Sequence, residues 1–94
     1  MDSKKDVVAV FTSITDQKQM AQFFEEIFTN KEVKDIALRW QLLCDLHQGE
    51  SQRSIAVKHG ISLCKITRGA RILKQNGSVA HQMLQTTCGE KHEQ

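Results

Sequence analysis

The 94-residue chain has no proline and no tyrosine, and only five glycines, three cysteines and one tryptophan. Without proline, no ring forces a break in a helix. With so few glycines, few positions have the backbone freedom for sharp turns. The β-branched residues are scattered and do not alternate in runs, so the strand signal is poor. Cys44, Cys64 and Cys88 form an odd set without paired spacing, which excludes a disulfide framework and points to a reduced compartment. The apolar run "VVAVF" at 7–11 is too short for a signal core or a membrane span. A cytoplasmic protein with no membrane partner is expected. Aromatics make up 5% of the chain, so its core is modest and a second copy would add to it.

Acid is the other absence. Residues 51–89 hold Arg53, Lys58, Lys65, Arg68, Arg71 and Lys74, with no Asp or Glu. Residues 1–50 carry six basic against nine acidic residues, a net of −3, and residues 90–94 a net of −1. The total of +2 therefore conceals a strongly basic second half. Such asymmetry points to a polyanionic partner.

What is present favours helices. Leu, Lys, Gln, Glu and Ala lose little rotamer freedom there. Thr15 or Asp16 can cap a helix whose apolar residues are Met20, Phe23, Phe24, Ile27 and Phe28. Thr29 and Glu32 have the spacing of a capping box. The helix after them places Val33, Ile36, Ala37, Trp40, Leu43, Cys44 and His47 on one stripe and ends near Gly49. Two short helices follow, capped by Ser51 and Ser62, then a turn at "QNGS" and a last helix at "VAHQMLQTTC". The expectation is an all-α fold of five to six short helices. Its divisions are a flexible N-terminal arm at 1–14, a helical domain at 15–88 and a polar tail at 89–94.

The pair of helices at 52–74 has the features of a helix-turn-helix. Ala56 is small enough for close contact with the second helix. Gly60 supplies the turn, and Ile61 and Ile66 close the inside. Ile55 and Leu73 extend the same apolar face. Gln52, Arg53, Leu63, Cys64, Lys65, Thr67, Arg68, Arg71 and Lys74 are left outside. A helix entering a major groove would present such residues to bases and phosphates. A solvated basic hairpin is the plain alternative.

Residues 39–74, "RWQLLCDLHQGESQRSIAVKHGISLCKITRGARILK", resemble the tryptophan repressor family. The most specific part is "ITRG" at 66–69 with "LK" at 73–74. "GESQR" at 49–53 resembles the family's Gly-Glu-x-Ser-Gln-Arg, shorter by one residue, and the likeness extends back to "FTNKE" at 28–32. The resemblance implies an intertwined helical homodimer acting as a transcriptional repressor, which binds palindromic double-stranded operator DNA when L-tryptophan is bound as corepressor. It implies no other cofactor. Arg39 and Arg68 would sandwich the indole, and Arg68 would also pair with the carboxylate. Gly69 would leave room for the ring. Thr29, from the other subunit, would bind the carboxylate, with carbonyls near Phe28 and Glu26 for the ammonium. Ile72 stands where the family often has a serine close to the ligand. On the DNA side the resemblance implies Gln52 and Arg53 at the first helix, with Arg53 on a guanine. Leu63, Cys64, Lys65 and Thr67 would lie at the tip of the second helix, and Lys74 on a phosphate. Arg71 joins this set as an exposed cation of the same helix.

Other residues have plainer readings. Cys44 and His47 share a helix face, but no second pair has ligand spacing, so packing is expected and no metal. Trp40 is expected in the core and His59 at the surface. Glu25 and Glu26 diverge on a helix and form no acid–base pair. No nucleophile motif or phosphate-cradling loop is present, so no enzyme is expected. Two alternatives stay open: a repressor of the same fold with another corepressor or none, and a basic helical module that binds an acidic protein.

Overall fold

The computed structural model describes residues 2–87. They form six helices: α1 (Ser3–Ser13), α2 (Gln17–Ile27), α3 (Asn30–His47), α4 (Gln52–His59), α5 (Leu63–Lys74) and α6 (Val79–Thr87). Among the described residues there is no strand. The polar tail expected at 89–94, and Cys88 at the end of the expected domain, lie outside the described residues. The chain divides into two compact units between Asp35 and Ile36, within α3.

In the N-terminal unit, α1 occupies most of the segment expected to be a flexible arm. The Asp2 carboxylate accepts a hydrogen bond from the Lys5 N–H at 3.3 Å and so caps the helix. Phe11 then anchors α1 on α2. Its ring centroid lies 5.4 Å from Phe23, 5.9 Å from Phe24 and 6.3 Å from Phe28. Such ring pairs add about 0.5–1.5 kcal/mol to the burial of their area. The structure selects Asp16 as the α2 cap, its Oδ2 accepting from the Gln19 N–H at 2.8 Å. The Thr29–Glu32 capping box is formed in both directions, at 2.9 and 3.1 Å. Gln17, Met20, Ala21, Phe24, Glu25 and Val33 line a mainly apolar groove of about 330 Å³. Val7, Val8, Val10 and Ile27 are also exposed.

The second unit holds the buried core. Leu42, Ile55 and Ile66 form one cluster, against which Leu38, Leu46, Ala56 and Ile61 pack. Cys44 and Leu84 form another with Leu43 and Leu73, so Leu73 belongs to the α6 side of the core and not to the Ile55 face. The stripe expected on α3 is only partly buried: Ile36, Ala37 and Trp40 are exposed in this chain. The residues that contact the helical pair are Leu38, Leu42 and Leu46, a neighbouring stripe of the same helix. The C-terminal half of α3 is apolar on two faces because it has α4 and α5 on one side and α6 on the other.

The turns that position α4 and α5 follow from local chemistry. Gly49 has φ +92°, and α3 ends with Gly49 N–H donating to the Leu46 carbonyl and Glu50 N–H to that of Asp45. Gly60 has φ +65°, and Ile61 N–H donates to the Ala56 carbonyl at 3.1 Å. In both, a left-handed glycine lets its own N–H and that of the following residue bond back to carbonyls of the last turns of the helix. The second turn also places Ile61 on the apolar cluster.

Candidate nucleic-acid interface

The α4–turn–α5 pair is held together from inside by Ile55, Ala56, Ile61 and Ile66. Ser51 caps α4 by accepting from the Ser54 N–H at 3.1 Å. Ser62 precedes α5 without a side-chain cap bond. The outer surface carries Arg53, Leu63, Cys64, Lys65, Thr67, Arg68, Arg71 and Lys74, all exposed, with Gln52 half-buried at the start of α4. Among the described residues, Arg53, Lys65, Arg68, Arg71 and Lys74 form no ion pair with an acidic side chain. Leu63 puts an apolar side chain, 46% exposed, at the tip of α5 beside these cations. Cations that no carboxylate neutralises can replace phosphate counterions, and an apolar tip can meet a thymine methyl.

Thr67 also joins the two helices. Its Oγ1 lies 2.9 Å from the Leu63 carbonyl and 3.0 Å from Gln52 Oε1. It therefore links the start of α4 to the first turns of α5 and orients the Gln52 amide.

Lys58 does not belong to the basic surface. Its Nζ lies 2.8 Å from Glu50 Oε2 and 3.2 Å from Asp45 Oδ2. Residues 51–89 contain no acid, but α3 and the connection to α4 bring two to this lysine. The hydrogen bond to Glu50, aided by Asp45 and opposed by burial, holds the Lys58 ammonium above the usual lysine range. His59 is also not a surface residue. It is half-buried, and its Nε2 lies 2.9 Å from Asp45 Oδ2. An ionised carboxylate only accepts, so the imidazole is the donor.

Asp45 joins these groups. It is 3% exposed and also accepts from Gln41 Nε2 at 3.0 Å on its Oδ1. Burial pushes its carboxyl up, but the hydrogen bonds from His59, Gln41 and Lys58 outweigh this and hold it below the usual carboxylate range. A lowered folded-state pKa gives stability that is present above the ordinary carboxylate pKa and lost as pH falls through the lowered one. Asp45→Asn is therefore expected to flatten the fall in stability below about pH 4. Denaturation midpoints of both proteins across acidic pH check this, and parallel curves would refute it. The network was missed in the sequence, where its one signal was an acid among Leu38, Leu42 and Leu46.

The residues expected around an amino-acid ligand fall in both units. Arg39, on α3, lies one turn before Leu43 on the same helix face, exposed to solvent. Gly69 is buried, and a Cβ there would lie 3.2 Å from Leu43 Cδ2 and 3.4 Å from Leu46 Cδ1. Its bare backbone thus lets α5 approach α3, a packing role beside the expected one. Arg68 and Ile72 flank this contact on α5, Arg68 exposed and Ile72 half-buried. Thr29 and Phe28 belong to the N-terminal unit. The Thr29 hydroxyl accepts from the Glu32 N–H and keeps its own proton as a donor. The Phe28 ring packs on Phe24 and Phe11.

Cys44 is buried against Leu84, and the His47 ring stacks edge-on against His81 at 5.7 Å. Among the described residues no group of three His, Cys, Asp or Glu could hold a metal ion, and no helix is long and apolar enough to cross a membrane.

Residues 3–88 match the Trp repressor protein family. The chain is 34% identical over 80 residues to the Trp operon repressor homolog of Chlamydia trachomatis serovar L2, covering 80% of this chain and 85% of that one. It is 36% identical over 69 residues to the homolog of Chlamydia trachomatis serovar D, covering 68% and 73%. A Trp operon repressor homolog of Xylella fastidiosa strain M23 is 38% identical over 66 residues, covering 69% and 70%. No solved structure matches the chain.

Proposed function

Because the chain belongs to the Trp repressor family, we propose that it is a homodimeric repressor that binds a palindromic operator when L-tryptophan occupies its ligand site. Membership carries the coarser statement, a repressor-like regulatory role. The observation that supports DNA as the partner is the set of exposed, unpaired cations Arg53, Lys65, Arg71 and Lys74 on α4 and α5. Gln52 and Arg53 read from α4, and Leu63, Cys64, Lys65 and Thr67 from the tip of α5. Arg71 and Lys74 contact phosphate.

The ligand site consists of Arg39, Arg68, Gly69 and Ile72 of one copy, with Thr29 and Phe28 of the other. An Arg fork matches a carboxylate with two parallel hydrogen bonds, which suits Arg68 to the amino acid's acid group. Support for a second copy comes from the exposed apolar surface of Ile36 and Trp40 and from the exposed valines of α1.

A ligand that binds only the folded protein stabilises it by mass action, by about 2.7 kcal/mol at a hundred times its Kd. L-Tryptophan is therefore expected to raise the melting temperature, and Arg68→Ala to abolish that rise. Arg53→Ala is expected to keep the rise and to lose about 1–3 kcal/mol of operator binding. A thermal-shift panel of the standard amino acids checks the assignment. A rise with another amino acid and none with tryptophan would reassign the corepressor. A rise retained in Arg68→Ala would remove Arg68 from the site.

A further inference from the structure

The polar groups around α4 form two links on one side of the helix. His59 and Gln52 are two turns apart, so they lie on the same stripe of α4. At one end of that stripe His59 meets Asp45 of α3, 2.9 Å away. At the other end Gln52 meets Thr67 of α5, 3.0 Å away. Ile55, fully buried, sits between the two links on the same face of α4. Apolar contact resists separation of the helices but is not directional, so Ile55 by itself lets α4 roll about its axis. Hydrogen bonds are directional and weaken steeply when bent.

Asp45 is an unusual group to place here. It is the one buried charged side chain among the described residues, and it lies in the last turn of α3, where the helix dipole disfavours a carboxylate. Burial of such a group is costly unless every partner is in place. Here they are: Gln41 from α3, and Lys58 and His59 from α4, with Glu50 of the intervening connection holding the far side of Lys58.

We propose that Asp45 and His59 are positioning residues for base reading, a polar lock that sets the roll of α4 and hence the direction in which Arg53 leaves the protein. The lock touches no DNA, and it rests on the reading of α4 and α5 as the DNA-binding pair. It acts on discrimination between sequences. Non-specific affinity comes from the free cations, which tolerate small changes of direction.

The test compares two duplexes: the sequence that the wild-type protein enriches from a randomised pool, and a scrambled version of it. Asp45→Asn keeps the shape of the side chain but turns an amide or a neutral oxygen towards His59 and Lys58. Its ratio of affinities is expected to fall about tenfold, the loss of one buried charge-assisted hydrogen bond, while affinity for the scramble at low salt stays within about twofold. His59→Leu is expected to do the same, and Asp45→Asn with His59→Leu to be no worse than either alone, since both remove one interaction. His59→Gln, which keeps an N–H donor, is expected to restore most of the ratio. Helical content and the thermal shift with L-tryptophan report whether each variant is folded. An unchanged ratio in folded Asp45→Asn overturns the lock. An equal loss on both duplexes also overturns it, as the mark of plain destabilisation. If the wild-type protein enriches no sequence, base reading itself fails, which is seen before any variant is made, and the lock falls with it.

Discussion

Raising the salt concentration from about 50 mM to about 200 mM is expected to weaken duplex binding by about 10³- to 10⁵-fold. Each chain presents Arg53, Lys65, Arg71 and Lys74 without an acidic partner, and a homodimer doubles that set. Every phosphate neutralised releases condensed counterions, so the logarithm of affinity falls with that of salt by about 0.9 per contact. The structure sharpens this into a contrast between two lysines. Lys74 is free, and Lys74→Ala is expected to reduce the slope by about one for each contact removed. Lys58 is already paired with Glu50 and Asp45, so Lys58→Ala is expected to leave the slope unchanged. Titration of a labelled duplex at several salt concentrations measures both. A slope near zero would favour the acidic-protein module. An equal loss of slope in the two variants would mean that Lys58 leaves its carboxylates to reach DNA.

Truncation of Ile66 to alanine is expected to cost about 2–5 kcal/mol of stability. Ile66 is fully buried and contacts both Leu42 of α3 and Ile55 of α4, so the lost methylene and methyls leave a cavity where three helices meet. The core has little in reserve. Among the described residues, Leu42, Cys44, Ile55, Ile66 and Leu84 are the buried hydrophobic ones. For a domain of this size, each kcal/mol moves the midpoint by about 4–8 °C, so a drop of at least about 8 °C is expected at fixed protein concentration. Val57, on the outer face of α4, is 79% exposed and supplies the control. Val57→Ala is expected to change stability by less than about 0.5 kcal/mol. Similar melting temperatures for the two variants would place the core elsewhere.

Much of the helical order was legible because its causes are local. The Thr29–Glu32 box, the Ser51 cap and the left-handed Gly60 each act within a few residues, and each stands where its spacing placed it. Ala56, Ile61 and Ile66 were legible for a related reason: a short turn leaves two adjoining helices few ways to pack. The helix within the segment expected as an N-terminal arm was harder to read, because its capping is weak and its anchor is distant. Nothing in "MDSKKD" announces that Phe11 will pack on Phe23 and Phe24.

By itself, the sequence determined the helical class, the helix-turn-helix spacing and a basic second half, since propensity, capping and charge are properties of residues and near neighbours. Only the tertiary structure decided which of those charges remain free. Lys58 and His59 look like two more basic groups of residues 51–89 until α3 brings Asp45 against them. It also decided which stripe of α3 is covered, and it gave Gly69 a packing role against Leu43 and Leu46. These outcomes depend on residues far apart in the chain, whose meeting is set by how whole helices pack, and no local pattern encodes that.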